Sequence, residues 1–192
     1  KGFGMPAFNN DEVVVPALVA LGVEESDALD YAAIGCIEVA VPGKWGYRCT
    51  GKHFLNLMRV FMAAMHDGLD LPSGRVFCPG SGPFESFASY ADLFAAWDKQ
   101  IKYFARRGVE IDAAIDTVLE KEAPDILCSA FTRDCIGRGK TIHEGGSVYD
   151  FVSGLQVGIA NLGNSLAAIK KLVFEEGRIG KDKLMRALDS DF

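Results

Sequence analysis

The chain has 192 residues, 49% of them hydrophobic and 24% charged, with a formal net charge of -6. Those proportions exclude a disordered tail, a collagen-like fibre and a disulfide miniprotein, and the length implies one domain or two small ones. With 20 Lys plus Arg against 26 Asp plus Glu, the chain lacks the basic surface that neutralises nucleic-acid phosphates, and no apolar run reaches the ~18 residues of a membrane span.

The opening Gly-Phe-Gly-Met-Pro reads as loop. Asp11-Glu12 then starts a helix, because acids suit the positive end of the helix dipole. It runs through Val13–Leu21 with Pro16 tolerated and Gly22 as its stop. Glu24–Ala33 reads as a second short helix. Ile34–Val41 is rich in β-branched residues and reads as a short buried strand or extended loop. Gly43–Gly51 is a glycine-punctuated loop. Lys52–His66 is apolar on all sides, which predicts a helix buried in a larger body. Leu71–Phe84 is irregular. Ser86–Lys121 is a long helix with a candidate break at Gly108, closed by Ala123-Pro124. Ile126–Asp134 is a short helix and Gly137–Gly146 a polar loop. Phe151–Glu176 is a long amphipathic helix after a brief extended start, and Lys181–Leu188 is a final short helix. So much buried helix asks for more partner surface than the chain supplies. That surplus, and a start at Lys1 without Met, predict a piece of a longer polypeptide.

The five cysteines, Cys36, Cys49, Cys78, Cys128 and Cys135, are an odd number with no tetrahedral zinc spacing. They predict free thiols in a reducing cytoplasm. Cys128, Cys135, His143 and Glu144 are spaced too irregularly for a metal site, and none is expected. His66, near a helix end, reads as a partner of the C-terminal dipole.

Three stretches could carry chemistry. In Gly35-Cys36-Ile37-Glu38, residues two apart on an extended segment share a face, so Cys36 and Glu38 project together. A carboxylate raises a neighbouring thiol pKa and opposes thiolate nucleophilicity. It does not oppose hydrogen-atom transfer, and Glu38 could then serve as a general base. The plain alternative is a packed Cys and a Glu paired with a basic side chain. Gly46-Tyr47-Arg48-Cys49-Thr50-Gly51-Lys52 matches a phosphate-loop pattern until His53, where Ser or Thr is needed. Lys44, Arg48, Lys52 and His53 still gather positive charge ahead of an expected helix start, which suits an anion; a solvated basic loop is the plain reading.

From Gly35-Cys36-Ile37-Glu38, followed by Pro42-Gly43-Lys44, the chain resembles the glycyl radical enzymes. Phe8-Asn9-Asn10-Asp11 resembles the segment ahead of the family's active-site cysteine. Trp45-Gly46-Tyr47-Arg48-Cys49-Thr50-Gly51 resembles the pyruvate formate-lyase-like branch, to which the label formate acetyltransferase is attached. Glu144-Gly145-Gly146-Ser147-Val148-Tyr149-Asp150-Phe151 is similar to the family's Gly-Gly loop. Gly158-Ile159-Ala160-Asn161 and the stretch from Asn164 to Phe174 continue the likeness in the same order.

The resemblance implies an α/β fold: a partial segment of a ten-stranded barrel, helix-rich with few short strands, with residues 1–192 as a single segment of the barrel domain. It implies that Cys36 becomes a thiyl radical and abstracts a substrate hydrogen. The radical source would be a glycyl radical made by a radical S-adenosylmethionine activating enzyme. The Arg-Val-x-Gly-Tyr radical motif is absent from these residues, so the glycine radical domain is missing and the chain alone is expected to be inactive. No bound cofactor is expected. The implied partners are the activating enzyme, a small-molecule substrate, the remainder of the enzyme and a second copy in a homodimer.

Authentic pyruvate formate-lyase uses two adjacent cysteines, whereas here Ile37 follows Cys36 and Glu38 follows Ile37. Cys-x-Glu resembles the dehydratase, C–N lyase and decarboxylase branches, where the Glu deprotonates a hydroxyl of the substrate radical. The expectation is a radical lyase or dehydratase acting on a small hydroxylated substrate, anionic if Lys44, Arg48, Lys52 and His53 bind it. Two readings compete: formate acetyltransferase chemistry, with Cys49 or another cysteine in place of the missing neighbour and acyl transfer to coenzyme A, and a non-catalytic remnant or assembly subunit.

Overall fold

A computed structural model describes residues 9–35, 38–46 and 50–190. In chain order the elements are α1 (Asp11–Ala20), α2 (Glu25–Ala28), β1 (Ala32–Ile34), β2 (Glu38–Ala40), β3 (Thr50–Asn56), α3 (Leu57–Met65), β4 (Leu69–Asp70) and β5 (Arg75–Val76). A 3-10 turn at Phe84–Ser86 leads to α4 (Tyr90–Glu122), α5 (Ile126–Phe131), α6 (Cys135–Arg138), β6 (Ser153–Val157), α7 (Ile159–Ile169) and α8 (Lys181–Asp189), with a π-helical turn at Lys170–Glu175. The strands form three two-stranded sheets among the described residues, β1-β2, β3-β6 and β4-β5. The helix-rich α/β character with few short strands is as expected.

Helix starts follow side-chain caps. Asn10 Oδ1 accepts from Glu12 N at 3.0 Å and opens α1, which continues through Pro16 to Ala20. The expected helix over Glu24–Ala33 is corrected: α2 is one turn, and Ala32–Ile34 is a strand because it pairs with Glu38–Ala40. Tertiary pairing overrides the helix propensity of its alanines there. The expected helix over Lys52–His66 is shorter, because Thr50–Asn56 is strand. Asn56 Oδ1 accepts from Met58 N and Arg59 N at 3.1 and 3.2 Å, so α3 begins at Leu57. As expected, α3 is largely buried: Leu57, Val60, Phe61, Ala63, Ala64 and Met65 are inside. α4 runs unbroken through Gly108 for 33 residues. The helix expected over Ile126–Asp134 stops at Phe131, and α6 reaches Arg138 inside the expected loop. The helix expected over Phe151–Glu176 follows its expected extended start: Ser153–Val157 is strand, α7 starts after Gly158, and the π-helical turn carries it to Glu175.

The chain divides into two compact units, Lys1–Gly51 with Ala114–Ser153, and Lys52–Ala113 with Gly154–Phe192. In the first, Leu18, Val23, Ala28, Val41 and Tyr149 form the core, with Trp45 and Phe151 against it. In the second, α3 contributes Leu57, Phe61 and Met65, and α4, α7 and α8 close over them with Leu93, Leu162 and Met185. Phe84 is fully buried there and meets Phe87 and Phe174 edge-on, with centroids 6.3 and 6.1 Å away. Large apolar side chains are nonetheless open to solvent, among them Phe54 (72%), Phe131 (79%), Ile136 (77%) and Ile159 (71%).

Candidate functional site

The β1-β2 hairpin carries the first pair of candidate residues. Its antiparallel register pairs Ala32 with Ala40, Ala33 with Val39 and Ile34 with Glu38, which leaves residues 35–37 as the connection. Gly35 adopts φ +58, a left-handed conformation that disfavours side chains. A Cβ at this position would also lie 2.5 Å from Glu38 Oε2. The half-buried Glu38 carboxyl is therefore folded back over the first residue of the connection that contains Cys36. Cys36 itself lies outside the described residues, as does Ile37.

The two ends of that hairpin meet a charged cluster. Lys44, just beyond β2, forms an ion pair with Asp27 of α2, just ahead of β1. Tyr149 donates its hydroxyl hydrogen to Asp27 Oδ2 at 2.6 Å and accepts from Glu24 N at 3.2 Å. The Lys44 ammonium first, and then the Tyr149 hydroxyl, hold the Asp27 carboxyl below its ordinary pKa. The Asp27 carboxylate in turn raises the phenol of Tyr149. A cleft of about 640 Å³ lies alongside, lined by Asp27, Lys44, Arg133 and Asp134 among others.

The remaining substrate-binding candidates belong to the second unit or fall outside the described residues. Arg48 and Cys49 are outside them. Lys52 is exposed, and its backbone N–H donates to Asp112 Oδ1 at 2.7 Å. His53 Nδ1 lies 3.0 Å from Asp112 Oδ2, and its ring packs against Gly108 and Gly154. Lys44 and His53 thus each have a carboxylate partner within their own unit. The stretch after Gly51-Lys52 is β3, so the helix start that a phosphate loop presents to its anion is missing.

The thiols of Cys128 and Cys135 are both raised, Cys128 chiefly by Asp125 and Cys135 by burial, which opposes metal ligation through thiolate. Glu144 accepts from Thr141 N at 2.8 Å. His66 caps α3, with Nδ1 2.9 Å from Met62 O and Nε2 2.9 Å from Asp189 Oδ1. Sequence reasoning missed Asp27 and Tyr149. They lie 122 positions apart, and no local pattern joins them.

A sequence model described as pyruvate formate lyase-like matches residues 1–192. The Escherichia coli K12 protein named "Probable dehydratase YbiW" is 59% identical over the whole chain, which covers 24% of that protein. The glycerol-bound B12-independent glycerol dehydratase from Clostridium butyricum superposes with a TM-score of 0.90 at 38% identity, over all of this chain and 24% of that one. A structure describing 1,2-propanediol dehydration in Roseburia inulinivorans gives a TM-score of 0.89 at 41% identity, over 98% of this chain and 23% of that one. The chain spans about a quarter of the length of the relatives it matches.

Proposed function

Because the chain belongs to the pyruvate formate lyase-like family, we propose that it is the catalytic-cysteine segment of a glycyl radical dehydratase acting on a small vicinal diol or a similar hydroxylated substrate. The observation that carries this reading is the Glu38 carboxyl folded over Gly35, at the three-residue connection that holds Cys36. Relatives named for dehydration support the reaction class.

The chemistry follows from the two residue types. A glycyl radical, generated by a radical S-adenosylmethionine activating enzyme, supplies the oxidising equivalent that leaves Cys36 as a thiyl. Cys36 then takes a hydrogen atom from the carbon bearing the substrate hydroxyl and becomes a thiol. Glu38 accepts the hydroxyl proton, which makes the carbon centre electron-rich. The neighbouring C–O bond breaks with its electron pair, and the departing hydroxide takes the proton that Glu38 holds, leaving as water and returning Glu38 to a carboxylate. Cys36 returns its hydrogen atom to the product radical, so a carbonyl compound and water form with no net oxidation. The exposed Phe131 and Ile136 are surfaces that the remainder of the longer enzyme would cover.

The test uses the full-length enzyme, activated anaerobically and offered glycerol, propane-1,2-diol, or pyruvate with coenzyme A. Aldehyde from a diol, lost in Cys36→Ala and Glu38→Gln, is the expected result. Acetyl-coenzyme A from pyruvate, with no diol dehydration, would replace the reading with acyl transfer.

A further inference from the structure

The β1-β2 hairpin has few backbone bonds of its own, because each strand is three residues long. What fixes it lies at its base. Asp27 on α2 precedes the first strand, Lys44 follows the second, and the two side chains pair. The ion pair therefore joins the incoming and outgoing ends of the segment that carries Cys36 and Glu38. The groups are well withdrawn from water, with 25% of the Lys44 and 13% of the Asp27 side chain exposed. Tyr149 adds the third member through its 2.6 Å bond to Asp27 Oδ2.

The same stretch is held along its backbone. Lys44 O accepts from Tyr149 N at 3.0 Å, and Gly43 O accepts from Arg133 N at 2.7 Å. Trp45 Nε1 donates to Phe151 O at 3.0 Å. Tyr149 thus grips Lys44 through its main chain and Asp27 through its hydroxyl. A lysine reserved for an anionic substrate needs an ammonium open to that substrate. The Lys44 ammonium is instead bonded to a carboxylate that also receives the Tyr149 hydroxyl.

We propose that Asp27, Lys44 and Tyr149 form a buckle that positions the Cys36–Glu38 connection, so that Lys44 acts through the hairpin and not by binding substrate charge. This rests on the dehydratase reading of that hairpin. Opening a partly buried pair leaves one charge uncompensated, which favours rearrangement of the elements it joins. A shift of ~1 Å at the reacting groups slows a positioned reaction by about 100-fold. Substrate contacts made elsewhere are unaffected, so the loss falls on kcat.

The experiment compares Lys44→Met, Asp27→Asn, Lys44→Arg and Tyr149→Phe in the full-length enzyme after anaerobic activation, with radical content measured by electron paramagnetic resonance. Lys44→Met and Asp27→Asn should each lower kcat by about tenfold or more, with KM and radical content close to wild type. Lys44→Arg should recover most of the activity, because it keeps the pair. Tyr149→Phe removes only a hydroxyl and guards against variants that fail to fold. It should lower kcat without lowering the unfolding temperature of the enzyme by more than a few degrees, and an unchanged kcat there overturns the proposal. A raised KM with intact kcat in Lys44→Met, beside a silent Asp27→Asn, overturns it in favour of substrate binding. Failure of the dehydratase reading is separate: the activated wild-type enzyme would then form no aldehyde from a diol, whatever the state of the buckle.

Discussion

The imidazole of His53 occupies the place where a side chain at Gly108 would begin: a Cβ there would lie 2.3 Å from His53 Nε2 and 2.7 Å from Cε1. This contact explains a glycine in the middle of a 33-residue helix. Alanine normally favours a helix interior over glycine by ~1 kcal/mol. Gly108→Ala should instead destabilise the protein by about 1–3 kcal/mol, because the ring is held by Asp112 and cannot retreat freely. Urea unfolding checks the sign. Gly108→Ala made in a His53→Ala background should recover the ordinary gain, a coupling that a double-mutant cycle measures.

Asn56 separates β3 from α3 by capping two backbone donors, Met58 N and Arg59 N. Asn56→Ala should cost about 1 kcal/mol, and Asn56→Asp should retain most of the stability. Thermal unfolding of the two variants distinguishes loss of the cap from loss of side-chain volume.

Much of the local structure was legible in the sequence. Asp11-Glu12 and Gly22 bounded α1, Ala123-Pro124 closed α4, and Lys181 opened α8, because caps and breakers act over a few residues. The misreadings arose where pairing across the chain decided the outcome. Ala32–Ile34 looks helical until Glu38–Ala40 lies beside it. Phe54 and Leu55 look like the first turn of an apolar helix until Ser153–Val157 pairs with their strand. Gly108 looks like a helix break until His53 supplies the reason for it. At the candidate site, the Cys-x-Glu spacing was visible because it is local. The Asp27–Tyr149 bond was not, since no periodicity spans so long an interval.

Asp70 is 5% exposed and receives Arg59 Nε and Nη2 at 2.7 and 2.8 Å, with Ser73 Oγ at 2.6 Å. The guanidinium first, and then the hydroxyl, hold its carboxyl far below the ordinary value of 3.8. A depressed folded-state pKa gives stability that is present above the unfolded value and is lost as pH falls toward the folded one. Stability should therefore decline below about pH 4. Asp70→Asn should be less stable at neutral pH and show a shallower acid decline, as followed by denaturation midpoints from pH 7 to pH 2.

Gly35 is constrained twice, by its φ of +58 and by the Glu38 carboxyl above it. Gly35→Ala should displace that carboxyl and lower dehydration by roughly 100-fold. The loss should appear in kcat while the glycyl radical still forms after activation. Parallel measurements of product and of the radical signal separate the two.

The most direct measurement concerns Glu38. The activated full-length Glu38→Gln enzyme is incubated in ordinary water with a diol deuterated at its carbinol carbons, and both aldehyde and recovered diol are analysed by mass. If Cys36 abstracts and Glu38 deprotonates, dehydration collapses while deuterium still washes out of the recovered diol, and Cys36→Ala abolishes both. Dehydration by Glu38→Gln at the wild-type rate would contradict the assignment of Glu38 as the base.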